Sequence, residues 1–308
     1  MTLARSGEEA DRQLPIGDEI FLDHIAHFVA DPEAARWALT RAGFAPTPLS
    51  IQVNPDPAGG APKPTGTGNA TAMFRRGYIE VLFKTADTAL GREFDSALAR
   101  YPGLHLAAFA AADAKAAHGR LAGTGFRMQP LVEMQRPIET EQSPGSAAFT
   151  IARVEPGQMA EGRIQIVTHR TEDAVWQTRW LDHPNGALRL AMLTIAVADV
   201  KEAAARFSRF TDRPAAARAF SYEVALDRGR LELMTPEAFG RTFPDLSIPS
   251  LPFMGACAIE VASFAKAETV LRQGGISSRH HGSQLVARFP TELGIGAWVF
   301  FERDRDTV

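Results

Sequence analysis

The chain has 308 residues, of which 45% are hydrophobic and 22% charged, with a formal net charge of −3 at pH 7. That is the composition of a folded globular protein, and its length suggests about two domains. With 33 basic against 36 acidic residues there is no polycationic surface, which argues against nucleic acid or an anionic membrane as a partner.

Residues 1–19 are polar, carry both charge signs and lack the apolar core of a signal peptide, so a loose tail on a cytoplasmic protein is expected. No uncharged apolar stretch reaches the ~20 residues of a membrane span. Cys257 is the one cysteine, which rules out an internal disulfide or a cysteine-rich zinc site. It sits in an apolar run from Phe253 to Ile259 and reads as a small buried hydrophobe.

Four segments share one pattern: an apolar strand, a small polar cap residue, a helix, then further strands. The first strand runs from Leu22 to Ala30 and ends at the cap Asp31, followed by a helix from Pro32 to Arg41. The second runs from Leu104 to Asp113, with a helix from Ala114 to Leu121. The third runs from Leu190 to Asp199, with a helix from Val200 to Phe210 whose apolar residues Val200, Ala203, Ala204 and Phe207 have helical spacing. The fourth runs from Ala256 to Ser263, with a helix from Phe264 to Arg272. Asp31, Asp113, Asp199 and Ser263 suit an N-cap, and Gly43, Gly123 and Gly274-Gly275 suit helix ends. Strand-like text follows each helix, which gives four βαβββ units. Thr235 to Leu251, rich in proline, reads as the connection between the last two.

Paired βαβββ units that open with Leu22-Asp23-His24-Ile25 resemble the vicinal oxygen chelate superfamily of glyoxalases, bleomycin-resistance proteins and extradiol dioxygenases. Gly66-Thr67-Gly68-Asn69, Gly77-Tyr78-Ile79-Glu80 and His183-Pro184-Asn185-Gly186 are similar to its glyoxalase-like domain branch. The resemblance implies an α+β fold of two glyoxalase-like domains, expected at residues 20–175 and 187–308 with a connector at 176–186. It also implies a cleft in which a divalent metal (zinc, iron, manganese or nickel) polarises the oxygens of a small substrate.

Strand alternation sets the candidate ligands. His24 lies seven residues before its cap and faces the cleft, where the family's first-strand ligand sits. Glu80, on the last strand of the unit, takes the carboxylate position, and the resemblance implies that it also shuttles a proton. In the second unit the matching positions hold Leu106 and Gln165, while His105 is one residue out of step, which reverses its face. His169 shares the parity of Gln165, so His24, Glu80 and His169 are the expected metal set. Asn69, Gln165, Trp176, Trp180 and Asn185 are the expected pocket residues, and His183 a candidate acid–base group. The third and fourth units offer Met192, Ala256 and one carboxylate, Glu232, so the second half reads as a degenerate copy. His280-His281 reads as surface. The leading expectation is a metal-dependent lyase, isomerase or dioxygenase, with a homodimer as one assembly; the alternative is a metal-free binding protein.

Overall fold

A computed structural model describes residues 12–54, 56, 58–139 and 144–302. Residues 1–11 of the expected tail lie outside the described residues, but 12–19 are tied down. Arg228 donates to the Gln13 carbonyl at 2.9 Å, and Gln13 and Glu19 are buried.

The first unit is β1 (Ile20–Phe28), α1 (Pro32–Arg41), β2 (Ser50–Asn54), β3 (Lys63–Met73) and β4 (Tyr78–Lys84). A helix that the sequence reading did not anticipate, α2 (Ala89–Arg100), leads into the second unit. That unit is β5 (Gly103–Ala111), α3 (Ala114–Gly123), β6 (Val132–Glu139), β7 (Pro144–Arg153) and β8 (Arg163–His169). A short helix α4 (Glu172–Val175) leads on. The third unit is β9 (Ala187–Ala196), α5 (Val200–Thr211), β10 (Ala215–Ala217), β11 (Ser221–Ala225) and β12 (Arg230–Met234). After α6 (Pro236–Thr242), the fourth is β13 (Phe253–Val261), α7 (Phe264–Gln273), β14 (Ser278–His281), β15 (Gln284–Arg288) and β16 (Ala297–Phe301). The four expected caps all accept hydrogen bonds from their helices' first turns.

Each first strand pairs in parallel with the last strand of its unit and antiparallel with the first strand of its partner unit. In the N-terminal half, β1-β4-β3-β2-β6-β7-β8-β5 closes on itself, because β2 meets β6 at Val53 and Gln135 and β1 pairs β5. The result is a barrel. In the C-terminal half the corresponding strands stay open, ending at β10 and β14. The largest apolar cluster joins helix faces of both halves, including Leu39 of α1, Leu121 of α3, Phe207 of α5 and Leu271 of α7. Arg206 of α5 and the buried Glu161 before β8 form a bidentate ion pair across the halves at 2.6 and 2.9 Å.

The two halves treat their concave faces differently. α2 covers one end of the N-terminal barrel, where Phe94 stacks on Phe28 at 4.6 Å between ring centres. In the C-terminal half, Phe239 of α6 and Phe243 just after it fill the concave face against Met192, Ala256 and Val299. Glu232 accepts hydroxyl hydrogen bonds from Thr194 and Ser221. The second cleft is therefore largely filled, with a pocket of about 240 Å³ left beside Phe243, Val286 and Ala297.

All four first strands carry a β-bulge eight residues before the cap. Asp23, His105, Ala191 and Gly255 are the extra residues, skipped in the strand registers. Against each bulge sits a positive-φ glycine at the start of the same unit's last strand: Gly77, Gly162, Gly229 and Gly296. A Cβ at Gly162 would stand 2.3 Å from the His105 carbonyl oxygen, and one at Gly77 would stand 2.7 Å from that of Asp23. Only glycine permits that approach.

Candidate functional site

The bulge at Asp23 breaks the alternation of β1, so Asp23 and His24 meet although they are neighbours in sequence. The buried Asp23 carboxylate accepts from His24 Nδ1–H at 2.7 Å and from His169 Nε2–H at 3.0 Å. Burial would raise its pKa, but the attraction and hydrogen bonds of the two histidines hold it well below the usual carboxylate range. An ionised carboxylate only accepts, so both rings must donate to it. That fixes a proton of His24 on Nδ1, so that in the neutral ring Nε2 carries the lone pair.

That lone pair faces a small cavity in the N-terminal barrel. His24 Nε2 lies 3.8 Å from Glu80 Oε2, and the His24 ring stacks on Tyr78 at 4.3 Å. Glu80 is fixed through its other oxygen: Oε1 accepts from Asn69 Nδ2 at 2.5 Å and from Gln52 Nε2 at 3.4 Å. Tyr78 is kept a neutral phenol by burial and by the charges of Asp23 and Glu80. The cavity, of about 30 Å³, is also lined by Leu106, Gln165, Arg136, Arg153 and Arg163. Beyond Arg153 and Arg163 lies a wider pocket of about 360 Å³ between β8 and α2, lined by residues including Phe28, Ala97, Arg100 and Met159.

The structure thus brings His24, Glu80, Asn69 and Gln165 to one cavity and places the other expected residues elsewhere. His169 does not line the cavity of His24 and Glu80; its Nε2 bonds Asp23, and its buried Nδ1 has no hydrogen-bond partner. His183 is a structural tie and not a cavity acid–base group: Ala45 N–H donates to Nδ1 at 2.9 Å, and Nε2–H donates to the Met73 carbonyl at 2.8 Å. Asn185 closes the turn after it, bonding the Ala42 carbonyl and Ala187 N–H. Trp176 packs on His169 at 4.6 Å, behind the Asp23 cluster, and Trp180 lies under the Arg179 guanidinium. His105 donates to the Tyr101 carbonyl at 2.6 Å, away from Glu80.

Among the described residues no three His, Cys, Asp or Glu side chains converge as a metal centre. His24 and Glu80 supply two donors. The Gln165 amide oxygen accepts from Arg153 at 3.0 Å, and Leu106 has no donor to give. Sites of this chemistry usually use three protein ligands or more, and here three guanidiniums line the same cavity. The donor set does not fit a resident divalent metal.

Sequence reading missed Asp23, Gln52 and the three arginines. A signal existed for Arg163, which shares the face of Gln165 by strand parity; the role of Asp23 depends on a bulge that alternation does not reveal.

The chain matches the glyoxalase-like domain family over residues 22–211. No curated protein matches it. Among solved structures it is similar to a hypothetical protein from Staphylococcus aureus (TM-score 0.64, 9% identity, covering 92% of this chain and 99% of that one). A triple mutant of 4-hydroxymandelate synthase from Streptomyces coelicolor gives a TM-score of 0.53 at 13% identity, covering 93% of each chain. A fusion of a xylose isomerase-like TIM barrel with 4-hydroxyphenylpyruvate dioxygenase gives 0.55 at 13% identity, covering 96% of this chain and 51% of that one. These likenesses carry the fold, and the family match covers more than half the sequence. The chain belongs to the glyoxalase-like domain family of the vicinal oxygen chelate superfamily.

Proposed function

We propose that this protein is an enzyme that moves a proton on a small α-hydroxycarbonyl compound held in the N-terminal barrel. The observation that carries the reading is the pair His24 Nε2 and Glu80 Oε2, 3.8 Å apart on one cavity, each anchored from behind. Both tips are acceptors, so together they suit a substrate presenting two acidic hydrogens: a C–H beside a carbonyl and a neighbouring hydroxyl.

Glu80 takes the carbon-bound proton on Oε2, while His24 Nε2 accepts the hydroxyl hydrogen. Electrons from the C–H bond pass to the carbonyl oxygen, giving an enediolate, and the proton held by Glu80 is returned to the same carbon; for its return to the neighbouring carbon, His24 Nε2 takes the hydroxyl proton and hands it to the former carbonyl oxygen. Asp23 stabilises the imidazolium form of His24 should it take the hydroxyl proton, and Asn69 and Gln52 keep the carboxylate oriented.

The test is wash-in of solvent deuterium into dihydroxyacetone, glycolaldehyde and the carboxylate-bearing hydroxypyruvate, followed by NMR. Wild-type protein should exchange the carbon-bound hydrogen, and Glu80→Gln should slow this about 100-fold or more. Exchange that is absent from wild type, or unchanged in Glu80→Gln, overturns the reading. A second reading, sequestration without turnover, is favoured by the donor set that does not fit a metal; it predicts ligand binding that survives Glu80→Gln with no exchange in either protein.

A further inference from the structure

From the three arginines of the barrel wall, we infer that the ligand of this cavity is an anion, its carboxylate or other oxyanion group seated on Arg153 and Arg163. The inference rests on the barrel cavity being the binding site, as proposed above, and adds the charge class of what enters it.

Arg136, Arg153 and Arg163 project from β6, β7 and β8 onto the cavity that holds Glu80. Three guanidiniums therefore face one carboxylate. Desolvation is costly for an ion unless a partner offsets it. Burial pulls all three arginine pKa values down; burial and the nearby Arg163 bring Arg153 to about 9, so it stays protonated at neutral pH.

Their internal partners are few. Arg153 Nε donates to Gln165 Oε1 at 3.0 Å. Arg163 packs its guanidinium over the Phe28 ring at 5.3 Å, and its side chain is only 10% exposed, yet its Nε and Nη2 atoms have no hydrogen-bond partner. The nearest carboxylate to Arg163 is Glu93 of α2, 3.7 Å from Nη2 and itself 40% exposed. This fork is nine-tenths buried, charged and unbonded at two donors. It suits an oxygen pair arriving from outside, because a guanidinium presents parallel N–H groups to a planar oxyanion.

Arg153 and Arg163 line both the inner cavity and the 360 Å³ outer pocket. An oxyanion on them sits at the boundary between the two. The remainder of a ligand then points either inward to His24 and Glu80 or outward along Phe28, Ala97 and Met159. Glu93 stands at the same boundary as the internal competitor for Arg163.

The experiment measures binding of matched pairs that differ in charge: malonate against malonamide, and benzoate against benzamide, with inorganic phosphate as a third oxyanion. Isothermal titration calorimetry and thermal shift are run on wild type, Arg163→Gln, Arg163→Lys and Glu93→Gln. The carboxylates should bind and raise the melting temperature, while the amides should not. Arg163→Gln should weaken the carboxylates about tenfold or more, Arg163→Lys should retain part of the affinity, and Glu93→Gln should tighten binding.

Should Arg163→Gln fail to fold, mass spectrometry of wild type treated with phenylglyoxal decides the matter. Carboxylate, and not amide, should protect Arg163 from modification. Equal binding of acids and amides, carboxylate affinity unchanged in folded Arg163→Gln, or no protection of Arg163 overturns the inference. These outcomes are independent of deuterium exchange. Exchange lost in Glu80→Gln without arginine-dependent anion binding keeps the proposed activity and removes the anion; anion binding without exchange does the reverse.

Discussion

The carboxylate of Asp23 stands between two histidines, 2.7 Å from His24 Nδ1 and 3.0 Å from His169 Nε2. One buried charge thereby sets the tautomer of the ring that faces the cavity. Asp23→Asn keeps the shape but replaces one acceptor oxygen with an amide that donates. One histidine must lose its bond or turn. Loss of about 2–4 kcal/mol of stability is expected in urea denaturation, together with an altered His24 tautomer in nitrogen-15 NMR. A change below about 1 kcal/mol with an unaltered His24 spectrum would count against this account.

Two other histidines set an acid limit on stability. Burial pushes His27 and His105 down from the ordinary 6.5 to about 4. Both stay neutral in the folded chain while the unfolded chain takes up protons. The native state then binds fewer protons than the unfolded state below pH 6.5. Their contribution is complete above that pH and is lost as pH falls towards 4, by at most about 3 kcal/mol for each ring. The melting temperature should drop steeply over this window, and His105→Gln should shallow the drop. A flat profile from pH 7 to 4 is the contrary result.

The donor set makes a prediction about metal content. Protein purified without chelator should carry far less than one equivalent of zinc, iron, manganese or nickel by elemental analysis, and chelator should leave the melting temperature in place. Stoichiometric metal that disappears in His24→Ala would falsify the donor-set argument.

At Gly162 φ is +157°, and a Cβ would meet the His105 carbonyl oxygen at 2.3 Å. The obstructing atom is backbone held in the barrel, so it cannot swing aside. Gly162→Ala should cost about 2–4 kcal/mol, whereas Gly119→Ala, in open space on α3, should be neutral or stabilising. Chemical denaturation of both variants makes the comparison, and equal effects would refute it.

The plug of the second cleft gives a matched pair. Phe239 is fully buried against Phe253 and Gly255, whereas Trp37 on α1 is 61% exposed. Phe239→Ala should lose about 3–5 kcal/mol, and Trp37→Ala should change stability by no more than about 0.5 kcal/mol. A Phe239→Ala loss below about 1 kcal/mol would mean that α6 covers the cleft without packing into it.

Much of this architecture is legible in the order of residues. Strand, cap and helix recur at Asp31, Asp113, Asp199 and Ser263 because an N-cap needs a short oxygen acceptor and the strand before it needs apolar neighbours. The glycine before each last strand is also visible, as in Gly77-Tyr78-Ile79-Glu80 and Gly162-Arg163-Ile164-Gln165. His24 and Glu80 can be placed on one face by parity alone. The position of His169 could not be read the same way. Parity sends it inward, but its partner is chosen by a bulge that turns Asp23 towards it. The linker helices α2 and α6 escaped because their apolar residues answer to clefts formed by strands distant in sequence. The arginines escaped for a related reason: on an isolated strand an arginine reads as solvated, and only closure of the barrel encloses all three.

Closure has a further consequence for how the molecule meets its neighbours. Among the described residues the N-terminal strands form a ring, closed between β2 and β6 at Val53 and Gln135, which leaves little free edge for another chain. The rims that remain among the described residues are β10, three residues long, and β14, which carries Arg279, His280 and His281. Brevity on one side and basic residues on the other are how sheets discourage strand-to-strand growth. Any self-association through shared sheet must begin in the C-terminal half. There the basic side chain of Arg279 and the short β10 stand against it.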